Sequence, residues 1–390
     1  MTKKIVVLGG GFAGVESAIK LRSYGHEVTL ISDREYLFVY PVSIWIPTRQ
    51  KTFEQVQISL MELQKKHGFE LIVDRAIQIN AQNKVVHLSK TEVSYDYLMI
   101  ALGMHKLKAK GSEHTHSICG QPEEALTIRN ELDKIVEKGE GKIAIGFGGN
   151  PLDPTATAVR GGPAFELLFN FSHYLKKKGL RDKVELTFFA PMKEPGKRMG
   201  EKPYKKMDVF FRHYKINKRI GTPIQEFEEK AVVFNDGSRL ESDLTIFIAA
   251  GTGHKVITDS GLPVNEAGFL KINELCRVQH HNNIYAIGDI VELGGPVWAA
   301  KQGHIAEVMA DVASYNLHNE ISGIGKRKSY WEKLHIVCLM DSGDGGAFIM
   351  RNHKKDFILP LPVLGHWMKK AWGFYYKNTK LKRIPRIPGM

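Results

Sequence analysis

Short apolar runs alternate with helical patterns along the chain. KIVVLGG enters a strand at once, FAGVESAIKLRSYG continues as a helix, and EVTLIS forms the next strand. The same strand–helix–strand plan recurs in KIAIGFGG, in a helix from about Pro163 (PAFELLFNFSHYLKKKG), and in VELTFFAP. Two more short strands end in glycine, VSYDYLMIALG (93–103) and HHNNIYAIGDIVEL (280–293). Strands alternating with helices predict an α/β fold built from two Rossmann-like dinucleotide-binding domains of the FAD/NAD(P) type. No other internal repeat is visible.

The first of these units carries Gly9-x-Gly11-x-x-Gly14 between strand and helix. Gly9 makes the tight turn, Gly11 admits a pyrophosphate to the backbone, and Gly14 lets helix and sheet pack closely. Phe12 and Ala13 open the helix, whose N-terminus offers unpaired N–H groups and positive dipole to phosphates. Asp33 follows about twenty residues on, at the end of a strand, where a carboxylate accepts hydrogen bonds from a ribose.

The second unit keeps the plan and loses the ligand groups. In GFGGNPLDPTATAVRGGPAFE (146–166), the stretch from Asn150 to Arg160 separates the glycines from the helix. The strand VELTFFA ends in Ala190-Pro191, with no acid for an adenosine ribose. This half therefore reads as a Rossmann shell with a degenerate nicotinamide site, and the electrons need another source.

Composition narrows the partners. With 390 residues, 43% hydrophobic and 25% charged, the chain has room for two domains and an appendage. Three cysteines, Cys119, Cys276 and Cys338, exclude a disulfide framework and fit a reducing, intracellular setting. The N-terminus leaves no room for a signal peptide, and no apolar run is long enough to span a bilayer. A net charge of +13 asks for an anionic partner. No metal site is expected.

The glycine-ended strands resemble those of the flavoproteins with two dinucleotide-binding domains. The resemblance implies FAD, with Gly288-Asp289 at the ribityl chain and Ala101 and Gly103 at the crossover. More specifically, LISDREYLFVYP (30–41), HTHSICG (114–120), GGPAFELLFN (161–170), AAKQGHIAE (299–307), HIVCLMDSGDGGAF (335–348) and LGHWMKKAWGFYYK (364–377) resemble the sulfide:quinone oxidoreductase and flavocytochrome c sulfide dehydrogenase family. What this implies is a monotopic enzyme that oxidises a reduced sulfur species at a flavin-proximal cysteine and passes electrons to membrane quinone. Arg34 and Pro41 then join the cofactor-binding residues. Cys338 matches the redox cysteine, Cys119 the family's third cysteine, Glu166 an acid near the flavin that relays protons, and Lys301 a cation beside the ring. Cys276 matches none and reads as an inert core thiol. The sequence departs from the pattern in having Arg160 where the second redox cysteine is expected and Arg198 where a histidine is expected, two guanidiniums that would favour an anionic donor or a different flavin reductant, unless Cys119 has taken over the partnership with Cys338. Two alternatives stay open: a type II NAD(P)H:quinone oxidoreductase, and a flavoprotein subunit with a cytochrome partner.

The tail LGHWMKKAWGFYYKNTKLKR accounts for much of the basic charge. Leu364, Trp367, Met368, Ala371 and Tyr375 recur at three and four on one helical face. Lys369, Lys370, Lys377 and Lys380 are expected on the other, with Trp372, Phe374 and Tyr376 between. Such a helix lies in a bilayer interface, so a peripheral position on the cytoplasmic side of the membrane is expected. No nucleic-acid-reading module is recognisable; a homo-oligomer is compatible with the resemblance. The expected division is 1–110 and 251–325 for the FAD domain, 111–250 for the degenerate domain, and 326–390 for the membrane-facing, flavin-proximal tail.

Overall fold

The computed structural model describes residues 3–387. Its first sheet has five parallel strands in the order Ile284–Ala286, Tyr97–Ile100, Ile5–Leu8, Val28–Ser32, Glu70–Val73. The central strand Ile5–Leu8 is buried along its whole length, which is why it reads as an unbroken apolar run. Helix Phe12–Ser23 follows it directly and packs against helix Gly303–Ile321. Small residues line that contact, and the Ser17 and Ser314 hydroxyls meet there at 3.0 Å.

The second sheet, Asn217–Ile220, Val184–Ala190, Gly141–Phe147, Leu244–Ile248, is also parallel throughout. Phe147, Phe165, Phe188 and Phe211 fill the space between this sheet and its helices. Where the chain crosses between the two units, His105–Lys106 pairs antiparallel with Gly251–Thr252. The two parallel sheets are the Rossmann-like pair expected from the repeated strand–helix–strand pattern.

After helix Gly303–Ile321 the chain forms an antiparallel sheet, Ile336–Asp341, Gly346–Arg351 and Asp356–Pro360. The tail helix Leu364–Lys380 then packs across its first two strands. This helix is inverted relative to an ordinary surface helix. Leu364, Trp367 and Phe374 are 55%, 62% and 65% exposed, while Gly365, His366, Lys369, Tyr376 and Lys380 are buried. The apolar stripe therefore lies where the spacing puts it, facing outward. Lys369 and Lys380 do not belong to the solvent-facing lysine side, which is the correction the structure imposes: each is held inward by buried carboxylates. After Lys380 the chain turns back on the helix end, with the Arg383 N–H donating to the Asn378 carbonyl at 2.8 Å, and residues 388–390 lie outside the described residues.

Candidate active site

Between the two units and the tail runs a cavity of ≈ 1940 Å³. Gly9, Gly11, Phe12, Ala13, Asp33, Arg34, Pro41, Ala101, Gly103, Cys119, Glu166, Gly288, Asp289, Lys301 and Cys338 all belong to its wall. Among the sequence-derived site residues only Gly14 stands back from it, for a steric reason. A Cβ there would overlap the Gly9 carbonyl oxygen, so the glycine brings helix and turn together. Gly9 itself has φ +113° and lies against the Ala101 backbone, while a Cβ on Gly11 would meet nothing within 4 Å. The helix that starts at Phe12 has no side-chain cap and no acid in its first turn, which leaves its N–H groups open to an anion.

These features fit FAD. Several buried polar atoms of the wall have no partner within the protein: Arg34 Nη1, Asp289 Oδ1, Arg160 Nε and Gln302 Oε1. Orphaned buried groups of this kind call for a ligand. The Phe12–Ala13 helix start can hold the pyrophosphate, Asp33 a ribose, and Asp289 the ribityl hydroxyls.

Cys338 lies on strand Ile336–Asp341, opposite Glu166 of helix Gly162–Lys177. Its partial exposure is to the cavity. Burial and then the Glu166 carboxylate push its thiol up to about 12, against the opposing pull of Lys369. Glu166 is raised above the usual carboxylate range by burial, although Lys369 ion-pairs with its Oε1 and the Asp341 N–H donates to the same oxygen at 2.8 Å. Asp341, fully buried, accepts from Trp45 Nε1 at 2.8 Å and lies 2.6 Å from His366 Nδ1. The tail helix thus reaches the Cys338 end of the cavity through Lys369 and His366. This was missed from the sequence because four lysines were grouped together. The useful signal was the inner stripe His366, Lys369, Tyr376, Lys380, spaced three, seven and four apart on one helical face.

Lys301 donates from Nζ to the Asp289 carbonyl at 2.9 Å and lies over the Phe269 ring. Burial pushes it down to about 7, with Asp289 and Asp153 opposing. Cys119 sits in another part of the wall, near Tyr40, Lys106 and Arg160. Cys276 is fully buried and burial alone pushes its thiol well above the usual range, in keeping with an inert core residue.

The two guanidiniums separate in role. Arg160 lines the cavity and ion-pairs with Asp289. Arg198 also belongs to the wall, and its two terminal nitrogens donate to the carbonyls of Val297, Ala299 and Thr155, so it clamps loops together there. The segment between Asn150 and Arg160 folds onto the crossover, with Asn150 Nδ2 donating to the Gly251 carbonyl at 2.9 Å and Lys301 N–H to the Thr157 carbonyl at 2.9 Å. It brings Gly161, Gly162 and Pro163 to the cavity wall. Among the described residues no group of three or more His, Cys, Asp or Glu side chains is placed to hold a metal ion.

The chain is similar along nearly its whole length to quinone-linked flavoproteins. It is 26% identical over 410 residues to the sulfide-quinone reductase of Aquifex aeolicus, covering 96% of this chain and 90% of that one. It is 23% identical over 371 residues to a type II NADH:quinone oxidoreductase of Staphylococcus epidermidis, covering 89% and 90%. Among solved structures, the sulfide:quinone oxidoreductase of Aquifex aeolicus superposes with a TM-score of 0.85 at 22% identity, covering 98% and 92%. NDH2 of Plasmodium falciparum superposes with 0.76 at 16%, covering 99% of both chains. The family model of the pyridine nucleotide-disulphide oxidoreductases matches residues 3–310, and the chain belongs to that family as an FAD-dependent oxidoreductase.

Proposed function

We propose that the protein oxidises a reduced sulfur species at Cys338 and delivers the electrons to a membrane quinone, in the manner of a sulfide:quinone oxidoreductase. The observation that carries this reading is the meeting of Cys338, Glu166 and Lys301, from three distant segments, on the wall that also carries the glycine turn and Asp289. When bound, FAD supplies the two-electron carrier between donor and acceptor.

The residues of the chain do the rest. A thiol raised to about 12 is protonated at neutral pH, so a nucleophilic sulfur at Cys338 requires a proton acceptor. Glu166 is that acceptor: it faces the thiol, its own affinity for protons is raised by burial, and Lys369 balances its charge when the proton leaves. Asp341 holds His366 and Trp45 in place and fixes the tail helix against this pair.

The tail helix is read as an interfacial anchor on the cytoplasmic side. Its exposed stripe of Leu364, Trp367, Met368, Ala371 and Phe374 continues into exposed Val363 and Leu359, a patch of the kind that enters the acyl boundary. No helix among the described residues is long and apolar enough to cross a membrane. Quinone would enter the cavity from this side, past Met368, Ala371 and Trp372 of the wall.

A type II NADH:quinone oxidoreductase is the second reading, favoured by the Staphylococcus epidermidis relative. The interposed Asn150–Arg160 segment and the missing acid at Ala190 count against it. Anaerobic mixing with sulfide and with NADH in parallel decides. The expected outcome is fast flavin bleaching by sulfide, lost in Cys338→Ala, and none by NADH; fast bleaching by NADH alone would replace the sulfur reading.

A further inference from the structure

Lys51, Lys370 and Lys377 converge on the outer side of the tail helix from two separate segments. Lys370 and Lys377 share one stripe of helix Leu364–Lys380 with exposed Trp367 and Phe374, at spacings of three, four and three. The Lys370 ammonium lies over the Trp367 ring, 5.2 Å from its centroid. Lys51 comes from the loop that follows the short helix Tyr40–Ser43. Gly373 lets the tail pack closely on that helix, because a Cβ there would lie 2.9 Å from Val42 Cγ1.

These three half-buried ammonium groups have no carboxylate partner among the described residues. Lys51 lies in the field of Lys370, and Lys377 in the fields of Arg383 and Lys51. Burial, followed by these like charges, holds Lys51 and Lys377 below the usual lysine range. Glu62, the acid that acts on Lys377, is spent on Arg383 at 2.9 Å. Lys369 and Lys380 of the same helix are, by contrast, matched with carboxylates. None of the three unmatched lysines belongs to the cavity wall, so the cofactor does not answer their charge.

Like charges interleaved with exposed aromatic rings fit a ligand that is anionic at one end and apolar at the other. A phospholipid meets both needs, with a phosphate for the ammonium groups and acyl chains for Trp367 and Phe374. A polynucleotide or an acidic protein would satisfy the lysines and leave the aromatic rings in water.

We propose that Lys51, Lys370 and Lys377 form a headgroup site for an anionic phospholipid on the outward face of the tail helix. This inference rests on the interfacial-anchor reading above and deepens it by naming the lipid class and by bringing in Lys51.

The test follows sedimentation of the purified holoenzyme with phosphatidylcholine vesicles, with and without phosphatidylglycerol. Physiological ionic strength screens charges beyond about 8 Å. Wild type should prefer the anionic vesicles, and each lysine at such a surface is worth about 5-fold in affinity. Lys51→Gln should therefore lose about 5-fold, and Lys51→Gln with Lys370→Gln and Lys377→Gln on the order of 100-fold, with binding to neutral vesicles kept. Arginine at the same three positions should retain the preference, which separates loss of charge from loss of fold. Removing equal charge from the second unit, by Lys138→Gln with Lys183→Gln and Lys230→Gln, should cost far less. Equal losses in the two triple-glutamine proteins overturn the site and leave only the net charge of the chain. Equal binding of wild type to both vesicle types also overturns it, while the anchor stands; binding to neither removes anchor and site together. Loss of retention on an immobilised oligonucleotide in the Lys51, Lys370 and Lys377 variant, with vesicle binding intact, gives the patch to nucleic acid instead.

Discussion

Lys369 and Glu166, 203 residues apart in sequence, form an ion pair with both side chains almost wholly buried. It fastens the tail helix to the helix of the second Rossmann-like unit at the Cys338 end of the cavity. Removing one member of such a pair strands the other charge and costs about 3–5 kcal/mol, whereas replacing both by apolar groups is often close to neutral. Lys369→Met should therefore lower the unfolding free energy by roughly that amount. Lys369→Met combined with Glu166→Leu should recover most of the stability in denaturant titrations while leaving sulfide turnover low.

A second cluster ties the far end of the tail helix. Lys380 ion-pairs with Glu16 and, at 2.7 Å, with Glu307, and Arg386 reaches Glu16 at 2.5 Å. Burial alone would raise Glu16, but Lys380 and Arg386 hold it at about 2, below its ordinary 4.5. A carboxyl depressed in the folded state contributes stability that is complete above its unfolded value and is lost as pH falls through the folded one. Hydrogen exchange in 364–380 should consequently accelerate as pH drops from about 4.5 toward 2, after correction for the intrinsic rate. Glu16→Gln should show weak protection already at pH 7 and little further loss in acid.

Lys301 offers a pH readout of another kind. Its ammonium is half-populated at about pH 7 and disappears above it. If that cation supports turnover, kcat should decline as pH rises through about 7, and Lys301→Met should lack this limb. Arginine keeps its charge over the whole range, so Lys301→Arg should flatten the profile as well. A wild-type profile with no change near 7 would remove Lys301 from the reaction.

The glycine turn can be tested without any assay of turnover. A side chain at Gly14 would run into the Gly9 carbonyl, and no flexible group is there to yield. Gly14→Val should give protein that retains little FAD after gel filtration. Gly11→Ala has open space ahead of it in the protein, so any loss of FAD there reports crowding of the cofactor itself.

The outward stripe predicts partition into lipid. Burying a large apolar side chain is worth about 1.5–3 kcal/mol, so Trp367→Glu with Phe374→Glu should reduce co-sedimentation with anionic vesicles by more than ~10-fold. Flavin content and the bleaching rate with sulfide in solution should be unaffected, because neither side chain belongs to the cavity wall.

Much was legible from local order alone. Turn glycines, the helix start at Phe12, the terminal strand acid Asp33 and the repeated strand–helix–strand plan are properties of neighbouring residues, and short-range sterics and hydrogen bonding govern them. The spacing of Leu364, Trp367, Met368 and Ala371 likewise defined an apolar face. Which lysines of the helix would turn inward was beyond it. Helical periodicity fixes the angle between residues, and only the carboxylates of Glu16, Glu166 and Glu307, brought in from other segments, decide that Lys369 and Lys380 turn inward. The same holds for the charges of the cavity. Arg160 meets Asp289 across 129 residues, Arg198 is consumed by three carbonyls, and burial pushes Lys301 down to about 7. Charge state and partner choice depend on distance and desolvation in three dimensions, quantities that exist only once the chain has folded.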